Sequence, residues 1–325
     1  MNRSLVLNGA LRYPPRTGEH MLPRLARPLT SMEKLDRLGW AAGIAFTAYG
    51  VSVGVRVSDP SVLDSVRALL PPGWKPAGKS TVRRLYSLIV GGPTSRPGLR
   101  RFNILYSDAA RLVRTQDLDE TLHQLELDLE HYIADRARRR TFVHAGVVGW
   151  NGQAIVIPGR SFSGKSSLVR ALVTAGASYY SDEFALLDER GRVHPYAIPL
   201  AIRPGPCGGP TMKYRAEDLG GVAGVGPLPV GLVLLTRYVR GTRFRPRPVS
   251  AGRAVLGLLA NTLPARRRPE RVLDTLTHVV AHASVLRGTR GEAEETAREI
   301  LGSDLLRGEP STPLSRVKAP VGTGG

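Results

Sequence analysis

Val51, Val53, Val55 and Val57 alternate with smaller or polar residues, the period-two pattern of a strand with one buried face. This pattern predicts a strand over 45–57. A helix is predicted to start after Ser58-Asp59-Pro60 and to stop at Pro71-Pro72-Gly73. β-rich runs at 85–90 and 102–106 predict two further strands. Leu118, Leu122, Leu125, Leu129 and Ile133 recur every three or four residues, the stripe of an amphipathic helix that packs against a core. From Thr141 onward the pattern changes. Apolar runs at 142–148 and 153–157 flank Asn151-Gly152, a hairpin turn signal. A helix-forming run at 168–173 follows, then short buried strands at 179–180 and 184–187, with a turn at 189–192. Another buried strand is predicted at 230–235, and helices near 251–261, 270–281 and 292–301. Segments 204–210 and 220–229 are rich in Gly and Pro and read as loops, the second either a lid over a site or an ordinary surface loop.

The alternation of strands and helices predicts an α/β domain over 141–307, preceded by a smaller α+β unit over 41–140. Residues 1–40, rich in Arg and Pro, are expected to be loosely ordered. The tail 308–325, rich in Pro, Gly, Ser and Thr, is expected to be disordered. No internal repeat is visible.

The strongest chemical signal lies between the strand at 153–157 and the helix at 168–173. Gly159-Arg160-Ser161-Phe162-Ser163-Gly164-Lys165-Ser166-Ser167 fits the phosphate-binding pattern G-x-x-x-x-G-K-[ST]. In such a loop the glycines let successive N–H groups point inward at phosphate oxygens, and the following helix adds its free amides and dipole. Lys165 is placed to reach the β- and γ-phosphates, and the Ser166 hydroxyl to bind Mg²⁺. Phe162 and Ser163 read as loop tip. Downstream, Asp182-Glu183 sits where the strand at 179–180 ends, the position at which ligands gather in α/β sheets. One carboxylate can hold a metal and the other can accept a proton from an attacking hydroxyl. A solvated acidic turn is the plainer reading of the same pair.

The order and spacing of these pieces resemble the carboxy-terminal catalytic domain of HPr kinase/phosphorylase and its related kinases. The resemblance runs from His144-Ala145-Gly146 through Gly159–Ser167 and Ser181-Asp182-Glu183 to Leu200-Ala201-Ile202-Arg203-Pro204-Gly205, and more weakly to Leu301. The amino-terminal third resembles that of HPr-kinase-related proteins, not the regulatory domain of the true enzyme. The resemblance implies a P-loop domain of HPr kinase/PEP carboxykinase type that uses ATP and Mg²⁺ to phosphorylate a serine hydroxyl of a peptide or protein. It implies that Gly159–Ser167 holds the nucleotide, that Asp182 is the base, and that Glu183 joins Ser166 at the metal. It places His144 near the phosphates and Arg203 at the nucleotide. By their own context, His144 reads equally as a histidine satisfied at a strand start, and Arg203 as a surface arginine. The sequence departs from the family at Glu183, where Asp is usual, and at Ser167, where Glu is usual. The later glycine-rich signature tied to phosphorolysis and the substrate motifs of PEP carboxykinase are not seen. Two other functions fit the same loop: a nucleotide-binding regulatory or assembly protein without transfer, and a small-molecule kinase.

Composition adds less. Of the 46 basic residues six are lysine and the other forty arginine, and the net charge is +19. Such a surface attracts acidic partners through long-range fields. The arginines are scattered and lack interleaved aromatics, so no specific nucleic-acid partner is expected. Cys207 is the only cysteine, which excludes an intrachain disulfide and a cysteine-based metal cluster. The start of the chain lacks the apolar core of a signal peptide. The stretch 39–55 is short and carries glycines and a tyrosine, so no membrane span and a cytoplasmic location are expected. A homo-oligomer is compatible with the sequence.

Overall fold

The computed structural model describes residues 31–78, 81–92, 101–160, 163–202, 211–303 and 305. The chain divides between Arg139 and Arg140 into two compact units. The protein is a mixed α/β structure, with two mixed sheets and seven α-helices among the described residues.

The first unit contains α1 (Ser31–Asp36), β1 (Ala42–Ala48), β2 (Val51–Val57), α2 (Leu63–Ala68), β3 (Lys75–Pro76), β4 (Arg84–Ile89), β5 (Asn103–Ser107), β6 (Ala110–Thr115) and α3 (Leu118–Arg136). Its sheet runs β3-β1-β2-β4-β5-β6. Only β2 and β4 pair in parallel, and α2 lies in the crossover that such a pair requires. The strand expected over 45–57 is in fact a hairpin. Tyr49 and Gly50 adopt φ of 51° and 82° and reverse the chain between β1 and β2. Tyrosine is not a turn residue by composition, so the unbroken apolar run hid the turn. The helix expected after Pro60 forms as a short 3₁₀ turn leading into α2, with the Asp59 carboxylate accepting the Ser61 N–H at 2.9 Å. β6 went unanticipated because none of its six residues is buried, so it carries no alternation. The stripe of α3 is real. Leu125, Leu129 and Ile133 pack with Phe46, Val53, Val55 and Leu105. Asp117 caps the helix by accepting from the amides of Asp119 and Glu120.

The second unit contains β7 (Thr141–Trp150), β8 (Gln153–Pro158), α4 (Lys165–Thr174), β9 (Ser178–Ser181), β10 (Phe184–Leu187), β11 (Val193–His194), β12 (Leu200–Ile202), β13 (Met212–Tyr214), β14 (Val230–Tyr238), β15 (Arg247–Pro248), α5 (Ala251–Leu259), α6 (Pro269–His282), β16 (Ser284–Arg290) and α7 (Ala293–Gly302). The sheet order is β11-β10-β7-β8-β14-β16-β15, with β9 also paired to β7. β8, β14 and β16 are parallel to one another. β7 and β8 form the expected hairpin, with Asn151 and Gly152 at φ of 49° and 76°, the left-handed pair a tight two-residue turn demands.

Strand alternation splits the core into two layers. Ile155, Ile157, Leu232 and Leu234 meet α4 and α7 through Leu168, Leu172, Ala297 and Ile300. Val143, Val147, Val156 and Val233 meet α5 and α6 through Leu258, Leu276 and Val279. Each buried Val, Leu or Ile among them contributes about 1.5–3 kcal/mol, so the sheet is fixed from both sides. The expected helices form at α5, α6 and α7, but β16 lies between the last two and was not foreseen. Its Arg-Gly-Thr-Arg end carries too little apolar signal. The segment 220–229 is stitched to β9: Val222 O accepts from Tyr179 N–H at 2.8 Å, and Gly226 O accepts from the Tyr180 hydroxyl at 2.7 Å. These bonds pack it against β9. Residues 1–30, 204–210 and 308–325 lie outside the described residues. Among the described residues no helix is long and apolar enough to cross a membrane.

Candidate active site

The parallel strands β8, β14 and β16 end at the same edge of the sheet, and there the chain gathers its polar groups. The glycine loop leaves β8 after Pro158 and enters α4 at Gly164, which acts as the N-cap at φ 79°. A side chain there would be strained by the left-handed backbone and would meet Arg290 Nη2 2.6 Å from its Cβ. The first bond of α4 runs from Leu168 N–H to Gly164 O. The amides of Lys165, Ser166 and Ser167 therefore have no partner within the helix, and they face the loop with the positive end of the helix dipole. Ser163 Oγ is buried and has no hydrogen-bond partner among the described residues.

Two clusters of side chains meet at this helix start. In the first, the Ser166 hydroxyl donates to Asp182 Oδ2 at 3.0 Å. The Tyr179 hydroxyl, from the short strand β9, shares its proton between Asp182 Oδ1 at 2.9 Å and Ile198 O at 2.8 Å. The Ala201 amide approaches Oδ2 at 3.4 Å. Asp182 is 1% exposed. Burial, reinforced by the neighbouring Glu183 carboxylate, pushes its pKa up to about 6, against the pull of its hydrogen-bond donors. Burial beside Asp182 also drives the Tyr179 phenol upward, so it stays a donor.

In the second cluster, His144 Nε2 lies 3.1 Å from Glu183 Oε2 and 3.4 Å from Lys165 Nζ. Lys165 also donates to Arg160 O at 3.1 Å, which folds the buried ammonium back over the loop. Burial lowers its pKa, while Glu183 and Asp182 act in the opposite direction. His144 reaches this place because β7 presents its even positions to α4. Gly146 lies against Val169, whereas Val143, Ala145 and Val147 face the other layer.

Arg290 was not foreseen. It ends β16, is 2% exposed, and donates from Nη2 to Gly164 O at 2.7 Å and Ser163 O at 3.3 Å. Its cross-strand partner is Tyr238, over whose ring the guanidinium sits 5.6 Å from the centroid. Burial lowers the Arg290 pKa, yet an arginine stays charged. A guanidinium bonded to two loop carbonyls fixes the turn into α4 and adds positive charge behind it. In a chain with forty arginines its sequence offered no signal. Tyr179 did offer one: a phenol three residues before Asp182.

The structure thus brings together Lys165, Ser166, Asp182, Glu183 and His144 around the loop. Ser166 pairs with Asp182, and Glu183 pairs with His144. Gly159, Arg160, Ser163, Gly164 and Ser167 are in place in the loop and first helical turn. Ser161, Phe162 and Arg203 lie outside the described residues. Compared with models of known protein families and with curated proteins, the chain matches none. Among the described residues no group of three or more His, Cys, Asp or Glu side chains is arranged to hold a metal ion. The donor set suits Mg²⁺ only in the manner of phosphate-bound magnesium, which needs one or two protein oxygens besides phosphate and water.

Proposed function

We propose that the second unit is a P-loop domain of the HPr-kinase-related type, which binds ATP with Mg²⁺ and transfers the γ-phosphoryl group to a serine hydroxyl of a peptide or protein. One observation supports this most: Lys165, Ser166 and the buried Asp182 converge at the open amides of α4. The loop from Gly159 to Ser167 offers backbone donors to a triphosphate. Lys165, now donating to Arg160 O, would contact the terminal phosphates, and Ser166 Oγ would be a ligand of the magnesium. Magnesium bound there supplies charge neutralisation on the phosphates.

Asp182 accepts the proton of the serine hydroxyl as its oxygen bonds to the γ-phosphorus and the bond to the β–γ bridging oxygen breaks, releasing ADP. A carboxylate with a pKa near 6 is better matched to this task at neutral pH than an ordinary aspartate. Lys165, Arg290 and the dipole of α4 oppose the charge that develops on the transferred group. Glu183, paired with His144, would help hold the magnesium, directly or through water.

The bond from Ser166 to Asp182 supports a second allocation, with Asp182 at the metal and Glu183, oriented by His144, as the proton acceptor. Transfer from γ-labelled ATP to serine peptides separates the two. Under the first allocation Asp182→Asn lowers transfer about 10²–10⁴-fold with the Mg²⁺ requirement unchanged. Under the second, Glu183→Gln causes that loss, and Asp182→Asn raises the Mg²⁺ concentration needed. ATP binding without transfer to any peptide, protein or small hydroxyl compound would instead identify a nucleotide-binding regulatory protein.

A further inference from the structure

The carboxyl edge of the sheet has a second face. Strand alternation sends Tyr238 and Arg290 toward α4, and Leu235, Arg237 and Arg287 toward α5. There a cavity of about 700 Å³ opens, lined by Pro158, Leu235, Arg237, Arg253, Leu256 and Arg287 among others, with no Asp or Glu in its wall. Arg237, Arg253 and Arg287 are exposed and form no ion pair among the described residues. Leu256 is 64% exposed beside them. The cavity adjoins the site described above. Pro158 immediately precedes the loop, and Asn261, also in the wall, accepts the His144 N–H at 2.7 Å through its backbone oxygen.

Resting on the phosphotransfer reading, we propose that this cavity holds the acceptor, and that the acceptor is an acidic peptide segment: carboxylates beside the target serine, together with one apolar side chain. The triphosphate already has its cradle on the α4 face, and an adenine base carries no charge to satisfy three guanidinium groups. Those groups come from three separate elements, β14, α5 and β16, so they are spread to meet several carboxylates rather than one. Leu235 and Leu256 supply an apolar floor between them. Across Pro158 and Gly159, a segment lying in the cavity leads toward the corner of Lys165 and Asp182.

The test is fluorescence anisotropy on the full chain without nucleotide. The probe is a labelled peptide with one serine flanked by glutamates and a leucine, compared with its glutamine counterpart. The acidic peptide should bind at least tenfold more tightly. Arg237→Gln, Arg253→Gln and Arg287→Gln should each weaken it about two- to fivefold, and the triple variant should remove the preference for acid. Arg111→Gln, an exposed arginine of the first unit, should have no effect, which separates the cavity from general attraction to a +19 chain. Equal binding of both peptides, or indifference to the three substitutions, overturns the proposal. So does displacement of the peptide by ATP with the arginine variants weakening ATP, which would assign the cavity to the nucleotide. Arginine-dependent peptide binding in a protein that transfers no phosphate would sink the kinase reading and leave the cavity standing. Asp182-dependent transfer that ignores peptide charge would do the reverse.

Discussion

Asp182→Asn should make the protein more stable at neutral pH while it lowers transfer. Asp182 has a folded-state pKa of about 6 against an ordinary 3.8. Its carboxyl therefore binds its proton more tightly in the native state than in the unfolded one. Stability from this group is complete below pH 3.8 and is lost as pH rises through about 6. A raised pKa of this size corresponds to about 3 kcal/mol at pH 7.5, at 1.36 kcal/mol per unit, and to about 1 kcal/mol at pH 4.5. Asparagine keeps the shape. Its carbonyl accepts from Tyr179, and the Ser166 hydroxyl can turn to accept from its amide; only the long 3.4 Å approach of the Ala201 N–H is lost, so most of the penalty is relieved. Trp150 lies on β7 and reports on the second unit, whereas Trp40 and Trp74 lie in the first. Urea unfolding followed by Trp150 fluorescence, with Trp40 and Trp74 changed to Phe, isolates the effect. The variant should gain about 2–3 kcal/mol at pH 7.5, shrinking to about 1 kcal/mol or less at pH 4.5. A variant less stable than the parent at pH 7.5, or a gain independent of pH, would refute the argument that burial of a charge dominates at Asp182.

Other outcomes follow from the same geometry. kcat/KM for transfer should rise with pH through about 6 and level off above it, as Asp182 of the free enzyme loses its proton. Tyr179→Phe removes a donor to that carboxylate, so the rise should move to higher pH in a pH–rate profile. Arg290→Gln loses charge-assisted bonds to Ser163 O and Gly164 O and should cost about 1–3 kcal/mol in thermal unfolding, together with weaker ATP binding. Gly164→Ala should cost at least about 1–2 kcal/mol from left-handed strain alone, measured the same way, with Arg290 displaced besides.

Much of this site was legible in the sequence because it is local. The loop pattern, the strand before it and the helix after it span only a few turns of chain. Asp182-Glu183 follows one helix and one strand later. The hairpin at Asn151-Gly152 carried its turn chemistry openly, and the stripe of α3 carried its period. What escaped depends on pairing over distance. Arg290 reaches Gly164 only because β16 runs parallel to β14, and β14 to β8, a register that no local pattern encodes. The cavity escaped for the same reason, since Arg237 and Arg287 become neighbours only across a sheet. Tyr49-Gly50 escaped because its turn lies inside an apolar run with no conventional turn residue at Tyr49. The division of labour between the two acids was also invisible. Adjacent in sequence, they diverge in space, Asp182 toward Ser166 and Glu183 toward His144.

We propose above all that Gly159–Ser167 and the start of α4 form a triphosphate site. Calorimetric titration of the full chain with ATP and Mg²⁺, beside its Lys165→Ala variant, tests it most directly. Binding should be saturable at one site and weaken at least tenfold when Lys165 is lost, the scale of one charge-assisted contact. Absence of ATP binding by the parent protein, or equal affinity in the variant, would contradict it.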